Sequence, residues 1–572
     1  MEAWNKLRSL NNRPEIPWLY ARDFNEINRQ DEKLGGKLRS HTQMQQFRDV
    51  IDECGFIDLG FEGSKFTLSK HFTNGNYLWE RLDRGLGNSE FLIRFPGLRV
   101  SHLRCMSSDH IPLLINLSGL EAPPRKKIFR FEEMWLSDTC CGEIMEAVWR
   151  NGEEGDIMKK IEKCSKDLEW REKNIFGNVR RELEEKKKKM LAKVKAKTMR
   201  RGDNARLREL KAEIHVFMDK ETRMWSQRSR VLWLKNGDSN SKFFHNKATQ
   251  RFRKNSILGI EDKRGIWQEQ LEAIGDTIVE YFEELFTTRN SAIEESSLPF
   301  IPRLVIDEIN EQLMGEFMEW EIQEALDQMA PLKALGPNGM PPLFYQHFWG
   351  IMKSKVTSTI LDWLNASKLP YPINHTFVTL IPKVKNLVLV SQYHPISPCN
   401  VLYKIFSKVL AKRLKKFMLE LITEHQSAFA KNRLISDNVL IAFETLHCMK
   451  NYNSRKTGFM ALKLNMSKAY DRVEWNYLQK LMEKMGFCSR WIGLIMECVR
   501  TISYLILMNG DPKGLINPTR GIRQGVPLSP FLFLLCMEGL HGLIKKAARA
   551  KEINGFSICK RGPKLTHLFF YR

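Results

Sequence analysis

Residues 461–471 read Ala-Leu-Lys-Leu-Asn-Met-Ser-Lys-Ala-Tyr-Asp, and residues 520–530 read Arg-Gly-Ile-Arg-Gln-Gly-Val-Pro-Leu-Ser-Pro. Both stretches lie within residues 300–572, where apolar segments with helical spacing are separated by turns. Two of these turns are marked by Gly336-Pro-Asn-Gly339 and Asn509-Gly-Asp-Pro512. The pattern predicts an α+β domain for this region.

The rest of the chain predicts further domains, because 572 residues are too many for one compact core. Residues 1–118 mix short apolar runs with glycine turns, which predicts a layered α/β or β-sandwich domain. Within it, Ile16–Tyr20 is predicted to form a buried strand and Pro112–Leu117 a closing strand. Residues 119–299 are predicted to form a basic, mainly helical linker, because Lys and Glu alternate with apolar residues at helical spacing from about Ile157 to Lys197.

The charge of the chain favours an anionic partner. The sequence has 90 Lys and Arg against 67 Asp and Glu, a formal net charge of +23. Nucleic acid is favoured over a membrane surface as that partner, and a merely soluble basic protein is the alternative. Hydrophobic residues make up 43% and charged residues 27%, which is typical of folded domains rather than of a disordered chain.

The cysteines and the apolar runs bear on the compartment. Eleven cysteines are scattered without a Cys-x-x-Cys pair, which argues against a structural zinc site and favours reduced, intracellular thiols. The sequence has no apolar run of about eighteen residues and no apolar signal core near its start. We therefore expect a nuclear or cytoplasmic protein without a membrane span.

Three short motifs in residues 1–118 suggest phosphodiester hydrolysis: Asp23-Phe-Asn25, Arg81-Leu-Asp-Arg84 and Ser108-Asp-His110. This reaction needs a base or electrostatic partner for the attacking water, donors for the phosphate and usually a metal. A histidine held by a carboxylate suits the first role, since the carboxylate fixes its tautomer and raises its basicity. Each motif alone is more often structural.

Together with the surrounding sequence (WLYARDFNEI, ERLDR, SSDHIPLLINL), these motifs resemble the C-terminal half of the endonuclease/exonuclease/phosphatase family, as found in plant long interspersed elements. The resemblance implies that Asp23 and Asn25 position phosphate and water. It further implies that His110 acts with Asp83 as its orienter and that Asp109 lies beside the metal or leaving group.

This endonuclease-like region departs from the family in two ways. Arg22 stands where the family has Gly before the Asp-Phe-Asn motif. The N-terminal half of the family, which carries a metal-binding glutamate, is missing from the sequence. We therefore expect a remnant without nicking activity.

A second series of ordered motifs precedes the two stretches quoted first. They are Lys333–Gly339 (KALGPNG), Thr379–Lys383 (TLIPK), Tyr393–Ser397 (YHPIS) and Gln426–Phe429 (QSAF). The series resembles the fingers and palm of a plant-type non-LTR retrotransposon reverse transcriptase. The resemblance implies RNA-directed DNA synthesis primed at a nicked target, with RNA and DNA as partners and Mg²⁺ as cofactor.

The same resemblance assigns nucleotide or template contacts to several side chains. They are Lys383, His394, Tyr470, Arg523 and Gln524. His394 stands where the family has an Arg that meets the triphosphate, and neutral imidazole is a weaker phosphate partner. Tyr470 would be the steric gate against the ribose 2′-hydroxyl, with plain aromatic packing as the alternative.

The polymerase carboxylates decide whether this copy can be active. Nucleotidyl transfer uses two Mg²⁺ ions held by carboxylates, one of which the palm places on a strand. The family has Asp where this chain has Asn465, and Asp471 is expected at a turn or helix start. After Thr566–Phe570 the sequence reads Tyr571-Arg572 where the family continues Ala-Asp-Asp. We expect a domain truncated before the Asp-Asp hairpin, with no intact metal site and no polymerase activity.

Three functional hypotheses follow. The first is an inactive retrotransposon reverse transcriptase, the second a non-enzymatic nucleic-acid binder or decayed pseudogene product, and the third a polymerase completed by another chain. For the second, the segment from Arg180 to Arg208 is the expected contact region. Basic side chains of the fingers are expected to add to it: Lys383, Lys404, Lys408, Lys412 and Arg413, which recur at roughly helical spacing, so that several could share one face.

Overall fold

The structure is a computed structural model. It describes Arg8 and residues 16–72, 76–95, 98–103, 108–117, 128–150, 156–172, 179–195, 203–229, 251, 255–257, 259–288, 300–333, 335–384, 387–430, 432–451, 458–559 and 562–569. The chain divides into two compact units, which we call the N-terminal unit (Met1–Lys126 and Ala196–Ser256) and the C-terminal unit (Lys127–Lys195 and Ile257–Arg572). The predicted linker, residues 119–299, is divided between them.

Helices and strands are mixed in the described residues. The α-helices are α1 His41–Glu53, α2 Ser89–Arg94, α3 Thr139–Arg150, α4 Ile157–Arg171, α5 Val179–Lys195, α6 Asp203–Ser229, α7 Leu271–Phe286, α8 Asp307–Met314, α9 Glu319–Asp327, α10 Pro342–His347, α11 Trp349–Ala366, α12 Val401–Lys415, α13 Met418–Leu421, α14 Ile435–Lys450, α15 Trp475–Met485, α16 Ser489–Arg500 and α17 Ser529–Arg549. The strands are β1 Leu19–Asp23, β2 Lys33–Leu34, β3 Phe56–Asp58, β4 Glu62–Gly63, β5 Leu68–His71, β6 Tyr77–Glu80, β7 Asp83–Asn88, β8 Arg99–His102, β9 Leu113–Asn116, β10 Ile260–Glu261, β11 Trp267–Gln268, β12 His375–Pro382, β13 Tyr393–Ile396, β14 Ser503–Met508 and β15 Asp511–Ile516. This content fits the predicted α+β class.

The strands of the N-terminal unit form three small sheets, with orders β1-β7-β3, β2-β6-β5 and β4-β8-β9. β1 pairs with β7 in antiparallel register, so that Asp23 lies directly opposite Asp83. Helix α1 supplies Phe47 and Val50 to the core beside β3 and β7. The predicted closing strand is β9, which pairs with β8.

The first strand begins later than predicted. It runs from Leu19 to Asp23 rather than from Ile16 to Tyr20. The preceding residues are held by Asn88 at the end of β7. Its side chain donates from Nδ2 to the carbonyl of Ile16 and accepts at Oδ1 from the backbone N–H of Trp18, and its backbone N–H donates to the carbonyl of Trp18. A side-chain amide can satisfy backbone groups outside a ladder, and hydrophobicity alone does not reveal this.

A cluster of buried charges, which we call the buried ion cluster, stabilises the start of β7. It consists of Glu32, Asp58, Arg81 and Arg84, and the Arg84 side chain is fully buried. Arg84 lies 3.0 Å from both Glu32 and Asp58, and Arg81 lies 3.1 and 2.8 Å from the same two carboxylates. Burial acts to raise the pKa of Glu32 and of Asp58, but the two arginines outweigh it and hold both pKa values below their ordinary range.

A four-stranded sheet in the order β13-β12-β14-β15 forms the centre of the C-terminal unit. β12 and β14 are parallel, and the two outer pairs are antiparallel. Buried side chains of the sheet pack against apolar residues of α7, among them Ile274, Ile278 and Phe282. The sheet therefore places the ends of β12 and β13, with Lys383 and His394, next to the turn that precedes α15.

The predicted turn after residue 508 is a tight hairpin between β14 and β15. Asn509 and Gly510 have φ values of 50° and 99°, as a two-residue turn with both central residues in the left-handed region requires. The Asn509 side chain also donates to the carbonyl of Ile257 and accepts from its N–H, at 2.7 and 2.8 Å. The Asn-Gly pair thus closes the hairpin and anchors a neighbouring segment.

Candidate functional site

The three motifs of the N-terminal unit meet at one point of the fold. Asp23 ends β1, Asp83 begins β7 opposite it, and His110 lies within hydrogen-bond distance of Asp83, with 2.8 Å between Nδ1 and Oδ2. Single ligand atoms of Asp23, Asp83 and His110 all lie within 4.8 Å of one another. We call this group the Asp23–Asp83–His110 cluster.

The histidine of this cluster is held as a general base or metal ligand would be. Burial lowers the pKa of His110, but the hydrogen bond and charge of Asp83 outweigh it, so the pKa is raised above its ordinary value. A carboxylate on Nδ1 leaves Nε2 for a substrate water or a metal ion. The three side chains can therefore hold a divalent cation or polarise a water molecule.

The other predicted residues of this region lie at its edge. Asn25 has φ +54° and donates its backbone N–H to Asp23 Oδ1 at 2.8 Å, which fixes the Asp23 carboxylate. Asp109 is 3.3 Å from Lys70, and the two side chains are about half exposed. Arg22 is exposed and donates to the Tyr20 hydroxyl, so an arginine fits at this position of β1.

In the C-terminal unit, the structure joins Asp471 and Gln524. Asp471 is buried in a short 3₁₀ turn, and Gln524 Nε2 donates to its carboxylate oxygens at 3.1 and 3.3 Å. Burial raises the pKa of Asp471 to about 6, although Lys468 and the Gln524 hydrogen bond act in the opposite direction. Tyr470, beside it, stacks on Phe533 with 4.7 Å between ring centroids. Gln524 therefore contacts Asp471 rather than open solvent.

Three basic side chains surround this turn. Lys383 follows β12 and is exposed, and His394 is exposed on β13, where it pairs with Ile381 of β12. Lys468 donates to the carbonyl of Tyr393 at 3.3 Å. Burial and the charges of Lys383 and Lys468 lower the pKa of His394, which keeps its imidazole neutral at pH 7. Lys468 stands within the quoted 461–471 stretch but was not among the predicted site residues.

The structure places Arg523 in the interior of the C-terminal unit. Its side chain is buried, donates to the carbonyl of Asn374 at 2.6 Å and lies over the ring of Tyr403 at 5.1 Å. The guanidinium therefore packs between the sheet and α12, and the contact of Arg523 with a nucleotide or template stays a prediction.

Asn465 also departs from expectation, because the segment around it is not a strand. Residues 458–467 are exposed, with no strand partner among the described residues. Met460, Leu462 and Leu464 are at least 75% exposed. A strand is defined by its ladder, and an alternating sequence without a pairing neighbour does not form one.

The prediction that Arg413 lies on a basic face of α12 is wrong. This side chain is buried, forms hydrogen bonds of 2.9 and 2.6 Å to the two Glu321 carboxylate oxygens, and lies 3.8 Å from the Phe317 ring centroid. Lys412 pairs with Glu324, and Lys404 is buried. Most of α12 is enclosed by protein, so charged residues at helical spacing on this helix can lie in the interior rather than on a surface that faces solvent.

Residues 381–570 match the family described as "Reverse transcriptase (RNA-dependent DNA polymerase)". The chain is 25% identical over 548 residues to the "Transposon TX1 uncharacterized 149 kDa protein" of Xenopus laevis, covering 92% of this chain and 41% of that protein. It is 27% identical over 176 residues, 30% of this chain and 24% of the relative, to the "Retrovirus-related Pol polyprotein from type-1 retrotransposable element R2" of Popillia japonica. Residues 381–570 thus form a reverse transcriptase domain, and the chain is similar beyond it to polyproteins of non-LTR retrotransposons.

A third relative is an uncharacterized mitochondrial protein of Arabidopsis thaliana, 46% identical over 66 residues, 12% of this chain and 54% of the relative. The chain thus spans less than half of the transposon protein and about half of the mitochondrial one. None of the helices among the described residues combines the length and apolar character that a membrane span requires.

Reverse transcriptases use divalent metal ions, and the residues of this C-terminal unit do not fit such a centre. Asn465 offers a neutral amide oxygen in place of a carboxylate, and hard cations prefer charged oxygens. Asp471 is buried and already accepts from Gln524. Within the described part of this unit, no group of three potential ligands contains an Asp or Glu.

Proposed function

We propose that the chain is a catalytically inactive reverse transcriptase of the plant-type non-LTR class, joined to an endonuclease remnant. The C-terminal unit would supply fingers and palm, and the N-terminal unit the C-terminal half of an endonuclease/exonuclease/phosphatase fold. In active members of the class, Mg²⁺ would be the cofactor and RNA and DNA the partners, in the nucleus or cytoplasm. Asn465 carries the proposal of inactivity, because it lacks the charge that a two-metal site needs.

Asp471 does not replace the lost carboxylate. It is 4% exposed, and its protonated form is favoured up to a pH of about 6. Reaching a metal would break its hydrogen bonds to Gln524 and expose a buried turn. Its position therefore supports a structural role beside the basic side chains Lys383 and Lys468.

Primer extension tests the polymerase proposal. We expect the full chain to incorporate no nucleotide on poly(rA)/oligo(dT) with Mg²⁺ or Mn²⁺ above a heat-inactivated control. We expect the same of Asn465→Asp, since one restored carboxylate does not build a two-metal centre. Template-dependent synthesis by the unaltered chain would refute the proposal, and synthesis by Asn465→Asp alone would show that the remaining ligands are present.

The Asp23–Asp83–His110 cluster points to metal-dependent nicking of DNA as a second candidate function. We propose that this chain does not nick DNA. Among the described residues, no glutamate joins the cluster to complete a metal site of the endonuclease type. Supercoiled DNA should stay intact in the presence of Mg²⁺. Relaxation that requires Mg²⁺ and disappears in His110→Ala, but persists in His102→Ala, would show that this remnant is an active nuclease.

Electrostatic binding of nucleic acid is the activity we expect to remain. The net charge of +23 supports it, and Lys383 and Lys468 offer a basic surface beside the sheet. Each phosphate contacted by a cation releases counterions, so binding should weaken steeply with salt. The segment from Arg180 to Arg208 is the other proposed contact region, and its structure is described only in part.

A further inference from the structure

Three histidines from distant parts of the sequence meet in the C-terminal unit. His425 follows α13, His541 lies in α17, and His567 lies near the end of the described residues. One ring nitrogen from each lies within 4.8 Å of the others, and all three side chains are half-buried. We call this group the three-histidine cluster.

The distances within the cluster suit a small metal ion. His541 Nδ1 and His567 Nε2 are 2.9 Å apart, and the His425 and His567 rings stack with 4.8 Å between centroids. Two nitrogens bound to one tetrahedral zinc ion, each about 2.0–2.1 Å away, are about 3.3 Å apart. The close pair therefore needs to separate by only a few tenths of an ångström. The His425 ring, which stacks at 12° to the His567 ring, has to rotate so that its in-plane lone pair points to the same position.

The surroundings orient one of these rings as a ligand. Thr566 Oγ1 is 2.8 Å from His567 Nδ1, and in the tautomer in which Nδ1–H donates to this hydroxyl, the Nε2 lone pair is directed at His541. Partners that fix the second ring nitrogen are typical of metal-binding histidines. His425 Nδ1 is buried and has no hydrogen-bond partner within the described residues.

The backbone around the cluster is held in place from several directions. Asn438 donates from Nδ2 to the carbonyls of His425 and Phe569 at 3.1 and 3.0 Å, which joins the two segments. The backbone N–H of Thr423 donates to Glu538, one turn before His541 on α17. The three ligands therefore approach one point before any metal binds.

We propose that His425, His541 and His567 bind one divalent transition-metal ion, with zinc as the favoured ion and a water molecule as fourth ligand. Imidazole ligands suit zinc and its neighbours better than Mg²⁺ or Ca²⁺. The ion would tie the segment after α13, helix α17 and the segment around His567 together, and so stabilise the C-terminal unit. The Cys-x-x-Cys criterion does not detect such a site, because it contains no cysteine.

Metal binding by the full chain tests this proposal. Metal-stripped protein should take up one equivalent of Zn²⁺ at the three-histidine cluster, in addition to any ion held by the Asp23–Asp83–His110 cluster. It should show a Co²⁺ absorption spectrum of a tetrahedral nitrogen site and should melt at a higher temperature with Zn²⁺ present. His541→Ala and His567→Ala should abolish all three effects. His447→Ala, an exposed histidine on α14, and His110→Ala, in the other cluster, should leave them unchanged.

The controls separate the possible outcomes. Zinc uptake lost in His110→Ala but retained in His541→Ala would place the metal in the N-terminal unit and overturn the proposal. Failure of the unaltered chain to bind micromolar Zn²⁺ would mean that the cluster is aromatic packing alone. If the alanine variants do not fold, Thr566→Val provides a second test. This variant should fold and should bind Zn²⁺ with an affinity lower by about 10-fold or more. An unchanged affinity would contradict the proposed orientation of His567.

Discussion

Replacing Arg84 with alanine tests how the N-terminal unit holds its cluster of motifs together. The guanidinium is fully buried, 3.0 Å from both Glu32 and Asp58, and also donates to the carbonyl of Arg81 at 2.9 Å. Its removal leaves two carboxylates in the interior with Arg81 as their remaining cation in the buried ion cluster. Breaking a buried ion pair in this way costs about 3–5 kcal/mol.

The assay is hydrogen exchange of backbone amides in β1, β3 and β7 of the full chain. A loss of about 3–5 kcal/mol speeds exchange through unfolding of the unit by roughly two to nearly four powers of ten. Arg22→Ala is the matched control, because Arg22 lies opposite Arg84 in the β1–β7 register but is exposed. In that variant, the free energy of unfolding derived from the exchange rates should change by less than about 0.5 kcal/mol. Equal effects of the two substitutions, or none from Arg84→Ala, would refute the role of the buried charges.

Three further predictions concern acid stability, a turn and nucleic acid. The carboxylates of the buried ion cluster have pKa values that are lower in the folded than in the unfolded chain. Their stabilising effect is therefore present above the unfolded-state pKa and is lost as the pH falls through the folded-state pKa. Amide exchange in β7 should accelerate in acid, and an unchanged rate would contradict this. Gly521→Ala should destabilise the C-terminal unit by more than about 1 kcal/mol in chemical unfolding, since Gly521 has φ +95° and a Cβ would lie 2.8 Å from the Asp471 carbonyl oxygen, whereas Gly493→Ala, on open helix surface, should not. Lys383→Ala with Lys468→Ala should reduce the salt slope of single-strand binding, measured by fluorescence anisotropy, by about 0.7 per lost contact, and an unchanged slope would exclude this surface.

Local patterns in the sequence predicted some of these features correctly. The Asn509-Gly510 pair predicted a turn because few residues tolerate two successive left-handed conformations. The resemblance indicated that Asp83 and His110 would meet, and the structure has a hydrogen bond between them, although their catalytic role stays a prediction. In the first case a short motif determines the geometry, and in the second the family resemblance brings two separate motifs together.

Burial of charged side chains could not be predicted in the same way. Arg413 pairs with Glu321 from another helix, 92 positions earlier, and Arg523 donates to Asn374, 149 positions earlier. Helical spacing and motif membership are the same whether an arginine faces water or the interior. The three-histidine cluster was missed for a related reason, since its members come from three separate segments.

The exposed segment that contains Asn465 bears on the self-association of the protein. Residues 459–466 read Phe-Met-Ala-Leu-Lys-Leu-Asn-Met, with one charge and no proline or glycine. An exposed apolar stretch of this kind is a hazard for edge-to-edge pairing with another chain. Lys463 is the one charge within it that opposes such self-association.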